Sequence, residues 1–331
     1  MGTREIRRAE PDSPTDLTRR SWLAVLRRSV REFRDDNVTD WAAALTYYGV
    51  LALFPGLLIA VSVLGLLGDS AARSLLDNVG QIAPGGVRDF LRTIIDNAQQ
   101  QRGTAGVAAV VGLLLALWSA SAYVGAFMRA SNAIYGVGEG RPVWKTAPVR
   151  LAVTVAVMVM LLISAAIVLL TGRVADQVGR ALGIGHTAVT VWDIAKWPVL
   201  LVLVSLTLAL LYWACPNVRQ PGFRWITPGG LVAVVIWLVA SGGFAVYVAN
   251  FASYNKTYGS VAGVIVFLVW LWISNVAVLL GAEFDAELER QRAVASGVGE
   301  DEQFAVPRDT SKLDEDDTRR ADALARHRRQ P

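Results

Sequence analysis

The residue types that usually carry catalysis are scarce here and lie far apart. The chain has two histidines, His186 and His327, and a single cysteine, Cys215. One cysteine forms no intrachain disulfide, and paired-cysteine zinc frameworks are excluded. No nucleotide-cradling glycine loop, no HExxH pair and no G-x-S-x-G elbow is present. The reading is therefore not an enzyme, with no metal and no cofactor expected. What does stand out is polar chemistry set inside apolar runs. One run carries Thr46, Tyr47 and Tyr48, another Trp118, Ser119, Ser121 and Tyr123, and the last Ser274 and Asn275. Together, Thr46, Tyr47, Tyr48, Ser119, Tyr123 and Asn275 form a candidate substrate pathway of hydroxyls, an amide and aromatic rings. The plainer reading is that the hydroxyls bond neighbouring helices and that Tyr and Trp near a boundary form an aromatic belt. Asn275 is the hardest to dismiss, because an amide in hydrocarbon needs a partner.

A second candidate lies in the loop Phe251 to Ser260. Lys256 stands just before an apolar run whose first N–H groups favour anions. With Tyr254 and Tyr258 it forms a candidate anion site for a phosphate or carboxylate. The alternative is a tight turn with both tyrosines anchored at the interface. Asp40 opens the first apolar run, where it would cap a helix. Glu283 and Glu287, one turn apart after the last run, read most simply as a solvated extension.

These residues must be positioned by elements that cross a membrane. The chain is 53% hydrophobic and 18% charged over 331 residues, and the charge is concentrated at the ends and in short gaps. About 20 apolar residues span the ~30 Å hydrocarbon core as a helix. Six such runs occur, at about 41–68, 104–128, 148–172, 197–214, 227–250 and 258–282, none with Asp, Glu, Lys or Arg across its centre. Pro148, Pro198 and Pro228 sit near the starts of runs, where a missing N–H does no harm. Pro216 follows the fourth run, and Pro55 inside the first predicts a kink. The mid-depth lack of ionisable groups argues against a buried proton relay.

The expected fold class is all-α: a polytopic membrane protein with six transmembrane helices, an N-terminal interfacial helix and short extracytoplasmic helices. With a cytoplasmic N-terminus, 24 of the 32 Lys and Arg fall on the inside, and Arg129, Arg141, Lys145 and Arg150 cluster there beside runs two and three. Both termini are thus expected in the cytoplasm, with no cleaved signal peptide. Over 21–35, Trp22, Leu23, Leu26, Val30 and Phe33 share one helical arc and Arg27, Arg28, Arg31 and Arg34 the other. That pattern suits a helix lying on anionic headgroups, or one packed on the protein's own face. Residues 69–103 carry two amphipathic patterns broken at Pro84-Gly85-Gly86, read as a short helical cap. Residues 1–20 and 296–331 are expected to be disordered tails around a membrane domain of 21–295. Ala108, Gly112, Ala116 and Ala120 line one face of run two, which suits close helix packing against another span or a second copy.

Several of these segments resemble one family. They are Tyr258 to Trp272 with Gly281-Ala-Glu-Phe-Asp-Ala-Glu-Leu-Glu289, Asp40 to Pro55, Trp118 to Asn132 followed by Arg141, and Cys215-Pro-Asn-Val-Arg219. In that order they resemble the YihY/BrkB family of bacterial inner-membrane proteins, over roughly residues 22–292. Gly229-Gly230 replaces an expected Gly-Ala. The resemblance implies a multi-pass bacterial plasma-membrane protein of unassigned activity. It marks Asp40, Trp118, Asn132, Arg141, Pro216, Asn217, Tyr258, Gly259, Gly281 and Glu283 as motif positions, without catalytic roles. The family has carried a virulence label and a transfer-RNA ribonuclease label. The second conflicts with the residues, since metal-assisted phosphodiester hydrolysis needs clustered His or carboxylate ligands. The leading expectation is a transporter or handler of a lipid or amphipathic anion, and the alternative is a structural or assembly protein of the envelope. Membrane lipids are the expected partners and nucleic acid is not.

Overall fold

A computed structural model describes residues 19–67, 105–169, 186–220, 227–250, 255–295, 297–299 and 302–313. Residues 1–18 of the expected tail 1–20, the extracytoplasmic cap at 69–103 and Tyr254 lie outside the described residues, while Arg19 and Arg20 open the first helix. The described chain is helical, in the order α1 (Arg19–Asp35), α2 (Val38–Leu67), α3 (Ala105–Ile134), α4 (Val143–Leu169), α5 (His186–Ala214), α6 (Pro228–Asn250) and α7 (Asn255–Ala295). Five helices are long and apolar enough to cross a membrane, over Val110–Ile134, Val143–Val168, Val191–Ala214, Pro228–Val248 and Gly263–Ala295. α2 has 30 residues and continues through Pro55 to Leu67.

Two helices begin earlier than their apolar runs suggested. Pro148 lies inside α4 and Pro198 inside α5 instead of at their starts. Each proline frees the carbonyl four residues back, on Trp144 and Ile194, which are 75% and 70% exposed. Both residues lie on open helix surface. α7 is 41 residues long and runs past its apolar stretch. Asn37, with a φ of 52°, turns the chain between α1 and α2, a left-handed conformation that asparagine tolerates. That puts Asp40 in the third position of α2, with Asn37 ahead of it. Asp40 is exposed there and complements the helix N-terminus as a charge instead of capping it.

α2 and α3 form the most extensive helix pair, followed by α6 with α7, while α4 and α5 pack on each other, α4 also on α3 and α5 on α6. The buried residues concentrate at one end of the bundle. They include Val38, Ala42 and Leu45 of α2, Val124 to Ile134 of α3, Leu208 to Ala214 of α5, Ala233 and Val234 of α6, and Leu279 to Ala293 of α7. Towards the other end the same helices present large exposed apolar side chains, such as Leu114, Leu162, Val202, Val239 and Val264. Among the described residues, the dense packing lies at that one end.

At the closed end α6 and α7 cross on glycines. A β-carbon on Gly229 would lie 2.0 Å from the Gly281 carbonyl oxygen, and one on Gly281 would lie 2.5 Å from that of Gly229 and 2.6 Å from Ala233 Cβ. Neither backbone can retreat without separating the helices. Gly281→Ala and Gly229→Ala should each cost about 1–3 kcal/mol through overpacking. Gly242→Ala and Gly243→Ala, which meet nothing within 4 Å, should be neutral or slightly stabilising in a helix interior. Thermal unfolding in detergent checks the contrast.

Candidate functional site

Three polar side chains of the membrane runs meet at one junction. Tyr123 Oη donates to Asn275 Oδ1 at 2.8 Å, Asn275 Nδ2 donates to Thr46 Oγ1 at 3.1 Å, and Thr46 donates on to the Ala42 carbonyl at 2.8 Å. Asn275 is 3% exposed. The chain of bonds ties α2, α3 and α7 together, and each member satisfies the next. The other pathway candidates do not join it. Tyr47 is 62% exposed and makes an edge contact with Tyr48, Trp118 is 79% exposed, and Ser119 is half-buried. Ser274 accepts instead from the Trp237 indole at 3.0 Å, joining α6 to α7.

One layer further towards the closed end, Asp285 receives the Gly229 N–H at 2.7 Å and so satisfies an orphan donor at the start of α6. Tyr212 Oη donates to the Val278 carbonyl of α7. Beyond it lies the densest polar cluster. Arg141 is 4% exposed and pairs bidentately with Glu139, Nε to Oε1 and Nη2 to Oε2, both at 2.7 Å. Nη2 also donates to the Cys215 carbonyl at 2.8 Å, which closes the C-terminus of α5. Asn132 donates to Glu139 Oε2 at 2.9 Å and accepts from the Asn217 N–H at 2.7 Å. Four positions marked by sequence, Asn132, Arg141, Pro216 and Asn217, are thus one buried assembly. Burial alone would push the Glu139 carboxyl up, but the Arg141 guanidinium reverses this and leaves it below the ordinary 4.5. The pair therefore contributes above that range and is lost as pH falls through it. Burial pushes the Cys215 thiol up to about 12 against a weaker pull from Arg141.

The segment 302–313 completes this cluster. It was expected to be part of a disordered tail, yet Phe304, Ala305 and Val306 are buried. Val218 and Pro307 form an antiparallel bridge, flanked by Arg219 N–H to the Val306 carbonyl at 2.9 Å and Arg308 N–H to the Asn217 carbonyl at 2.8 Å. The Asn217 side chain clasps the backbone of Asp309 through both its oxygen and its nitrogen. Phe304 packs on Tyr135 and lies under the Arg290 guanidinium, 4.4 Å from the ring centre. A β-carbon on Gly140 would lie 1.9 Å from the Asp309 carbonyl oxygen. Low apolar content hid this segment from sequence reasoning, because its attachment rests on backbone pairing and two aromatic contacts.

Glu283 and Glu287 do not form the solvated extension expected of them. They are buried to 1% exposure each, between α7 and α1, not solvated. Val25 of α1 packs on Phe284 and Leu288 of α7, and Glu287 takes Arg290 at 2.8 Å and Arg28 at 3.4 Å. Asp36 at the α1–α2 turn has its carboxyl raised to about 6, first by burial and then by Glu32. Because the shift is upward, that junction is favoured at low pH and loses the contribution as pH rises through 6. Leu26 and Val30 remain exposed, so α1 packs on the protein with one face and leaves another apolar face free. Lys256 falls in the first turn of α7 instead of ahead of it. Its side chain and those of Tyr258 and Gly259's neighbours lie outside the described side chains, as does the candidate anion site.

The family model described as virulence factor BrkB matches residues 29–304. The chain belongs to the BrkB family. Among curated BrkB-like relatives, the ribonuclease-like protein YfkH of Bacillus subtilis is 28% identical over 251 residues, covering 76% of this chain and 90% of that protein. A UPF0761 membrane protein of Alkalilimnicola ehrlichii is 31% identical over 289 residues, 80% of this chain and 59% of that one. Another, from Alteromonas mediterranea, is 27% identical over 269 residues, 78% and 85%. No solved structure matches. The BrkB match ends at Phe304, so most of the docked segment lies beyond it.

The Arg141 pair supplies a sharp test. Glu139→Gln leaves a buried guanidinium without its anion and should cost about 3–5 kcal/mol. In an Arg141→Met background the same substitution should cost much less. A double-mutant cycle by denaturant unfolding in detergent measures the coupling.

Proposed function

We propose that this BrkB-family membrane protein handles an amphipathic anionic or lipid substrate within the bilayer, and does not catalyse a covalent reaction. In this reading α2 supplies a sixth crossing beside the five apolar helices, α1 lies at the membrane surface, and both termini are cytoplasmic. The observation that carries it is the asymmetry of packing. One end of the bundle is buried and polar-locked, whereas the other leaves apolar helix faces open to lipid. Between them the Tyr123–Asn275–Thr46 junction forms a polar floor at which a headgroup entering sideways would stop. The aromatic Tyr47 and Tyr48 lie next to it along α2.

The non-catalytic part departs from the ribonuclease-like name of the Bacillus relative. Among the described residues no group of three or more His, Cys, Asp or Glu is placed to hold a metal ion, and phosphodiester hydrolysis by metals needs one. A second reading, a structural or assembly protein of the envelope, is favoured by a different observation: the junction's side chains satisfy one another and leave none aimed at a substrate.

A phospholipid with a photoreactive group in its acyl chain separates the two. Irradiated in reconstituted membranes, it should label peptides carrying Thr46, Tyr123 and Asn275, and Asn275→Leu should shift or abolish that labelling. Labelling confined to the outward ridges of α4 and α6, unchanged by the substitution, would overturn the handling reading.

A further inference from the structure

Four cations crowd the α3–α4 connection: Arg129, Arg141, Lys145 and Arg150. Two have anions of their own, Arg141 with Glu139 and Lys145 with Asp309. The other two, Arg129 and Arg150, have no hydrogen bond from their guanidinium groups and no ion pair among the described residues, and yet they converge. Gly125 lies one turn before Arg129 on α3 and presents bare backbone. A β-carbon there would lie 3.1 Å from Arg150 Nη1, 3.2 Å from Arg150 Cδ and 3.8 Å from Arg129 Nη1. Arg150 therefore reaches across from α4 onto α3, and the two guanidinium nitrogens sit within about 7 Å of each other. Two like charges at that spacing repel unless an anion lies between them.

Their level in the bundle identifies the anion's chemistry. Arg129 is exposed and lies five residues before the end of α3, and Arg150 is half-buried and lies seven residues after the start of α4. At 1.5 Å per residue both sit roughly 7–11 Å inside the closed end, a depth from which long cationic side chains reach the headgroup layer. Trp144, 75% exposed, stands on the same end of α4, as aromatic residues do at a membrane interface. From Arg150 outward, Leu151, Val155, Val159 and Leu162 are all exposed and run along α4 at spacings of four, four and three, a ridge on which an acyl chain can lie. Planar guanidinium forks match phosphate oxygens.

We propose that Arg129 and Arg150 clamp the phosphate of an anionic phospholipid headgroup at the α3–α4 edge, with Gly125 leaving the space for Arg150 to reach it. The site does not rest on the substrate-handling reading, because a purely structural membrane protein would carry it equally. Among the described residues Glu139 and Asp309 are occupied by Arg141 and Lys145, and in this proposal the membrane supplies the counter-charge.

Native mass spectrometry and thermal unfolding of the detergent-purified full chain test this, with phosphatidylglycerol as probe, phosphatidylcholine as a zwitterionic control and glycerol 3-phosphate as a soluble phosphate. Wild type should retain phosphatidylglycerol in preference to phosphatidylcholine. Arg129→Gln, at an exposed position where folding is not at stake, should weaken retention several-fold, and Arg129→Gln with Arg150→Gln at least ten-fold. Gly125→Leu should weaken it with both charges kept, and Lys145→Gln should not. Glycerol 3-phosphate failing to compete assigns the site to lipid; competition at millimolar concentration keeps the phosphate clamp and assigns it to a soluble phosphate ester. Unchanged phosphatidylglycerol retention in Arg129→Gln and in Gly125→Leu overturns the proposal.

Discussion

A guanidinium that is 4% exposed must have both an anion and acceptors arranged around it, and meeting that requirement at Arg141 organises the closed end. Glu139 supplies the anion from the same loop. The end of α5 supplies carbonyls from Ala214 and Cys215, which would otherwise be orphaned at a helix C-terminus. Asn132 holds Glu139 from α3 and also takes the backbone of Asn217. One buried charge thus fixes the relative positions of α3, the α3–α4 loop, α5 and, through Asn217, the docked segment at 302–313. Remove it and the acceptors gathered around it lose their reason to converge.

The apolar helices obey a further constraint. Lipid tails give helices no hydrophobic reason to associate, so close packing depends on small residues and interhelical hydrogen bonds. Both occur where the helices meet. Gly229 and Gly281 let α6 and α7 touch backbone to backbone, and the Tyr123–Asn275–Thr46 bonds fasten α2, α3 and α7. Elsewhere the helices expose Leu, Val and Ile, as helices facing hydrocarbon do.

Much of this was legible in sequence. Apolar run length gave the helices, and the need of an intramembrane amide for a partner singled out Asn275, which does hold the junction. The motif positions Asn132, Arg141, Pro216 and Asn217 were visible as residues but not as an assembly, because their contacts join points some 80 residues apart in the chain. Sequence spacing alone does not reveal the burial of Glu283 and Glu287, because on an amphipathic helix it is equally that of a solvated face. Among the described residues, α1 folds back to cover them, with Val25 on Phe284 and Leu288 and Arg28 on Glu287. Pro148 and Pro198 look like helix boundaries in sequence, yet α4 and α5 continue through them, with the residues one turn earlier, Trp144 and Ile194, on open helix surface. The docked segment gave no periodic signal at all.

The thiol of Cys215 reports on the central claim directly. It is the only cysteine in the chain, it is fully buried, and its backbone carbonyl is a ligand of Arg141. The measurement is the rate of maleimide labelling of purified protein in mild detergent, for wild type and for Arg141→Gln. The account predicts that wild type stays unlabelled until unfolded, and that Arg141→Gln reacts while still showing a cooperative melting transition. Labelling of folded wild type at the denatured rate, or full protection in Arg141→Gln, would contradict a closed end held by that guanidinium.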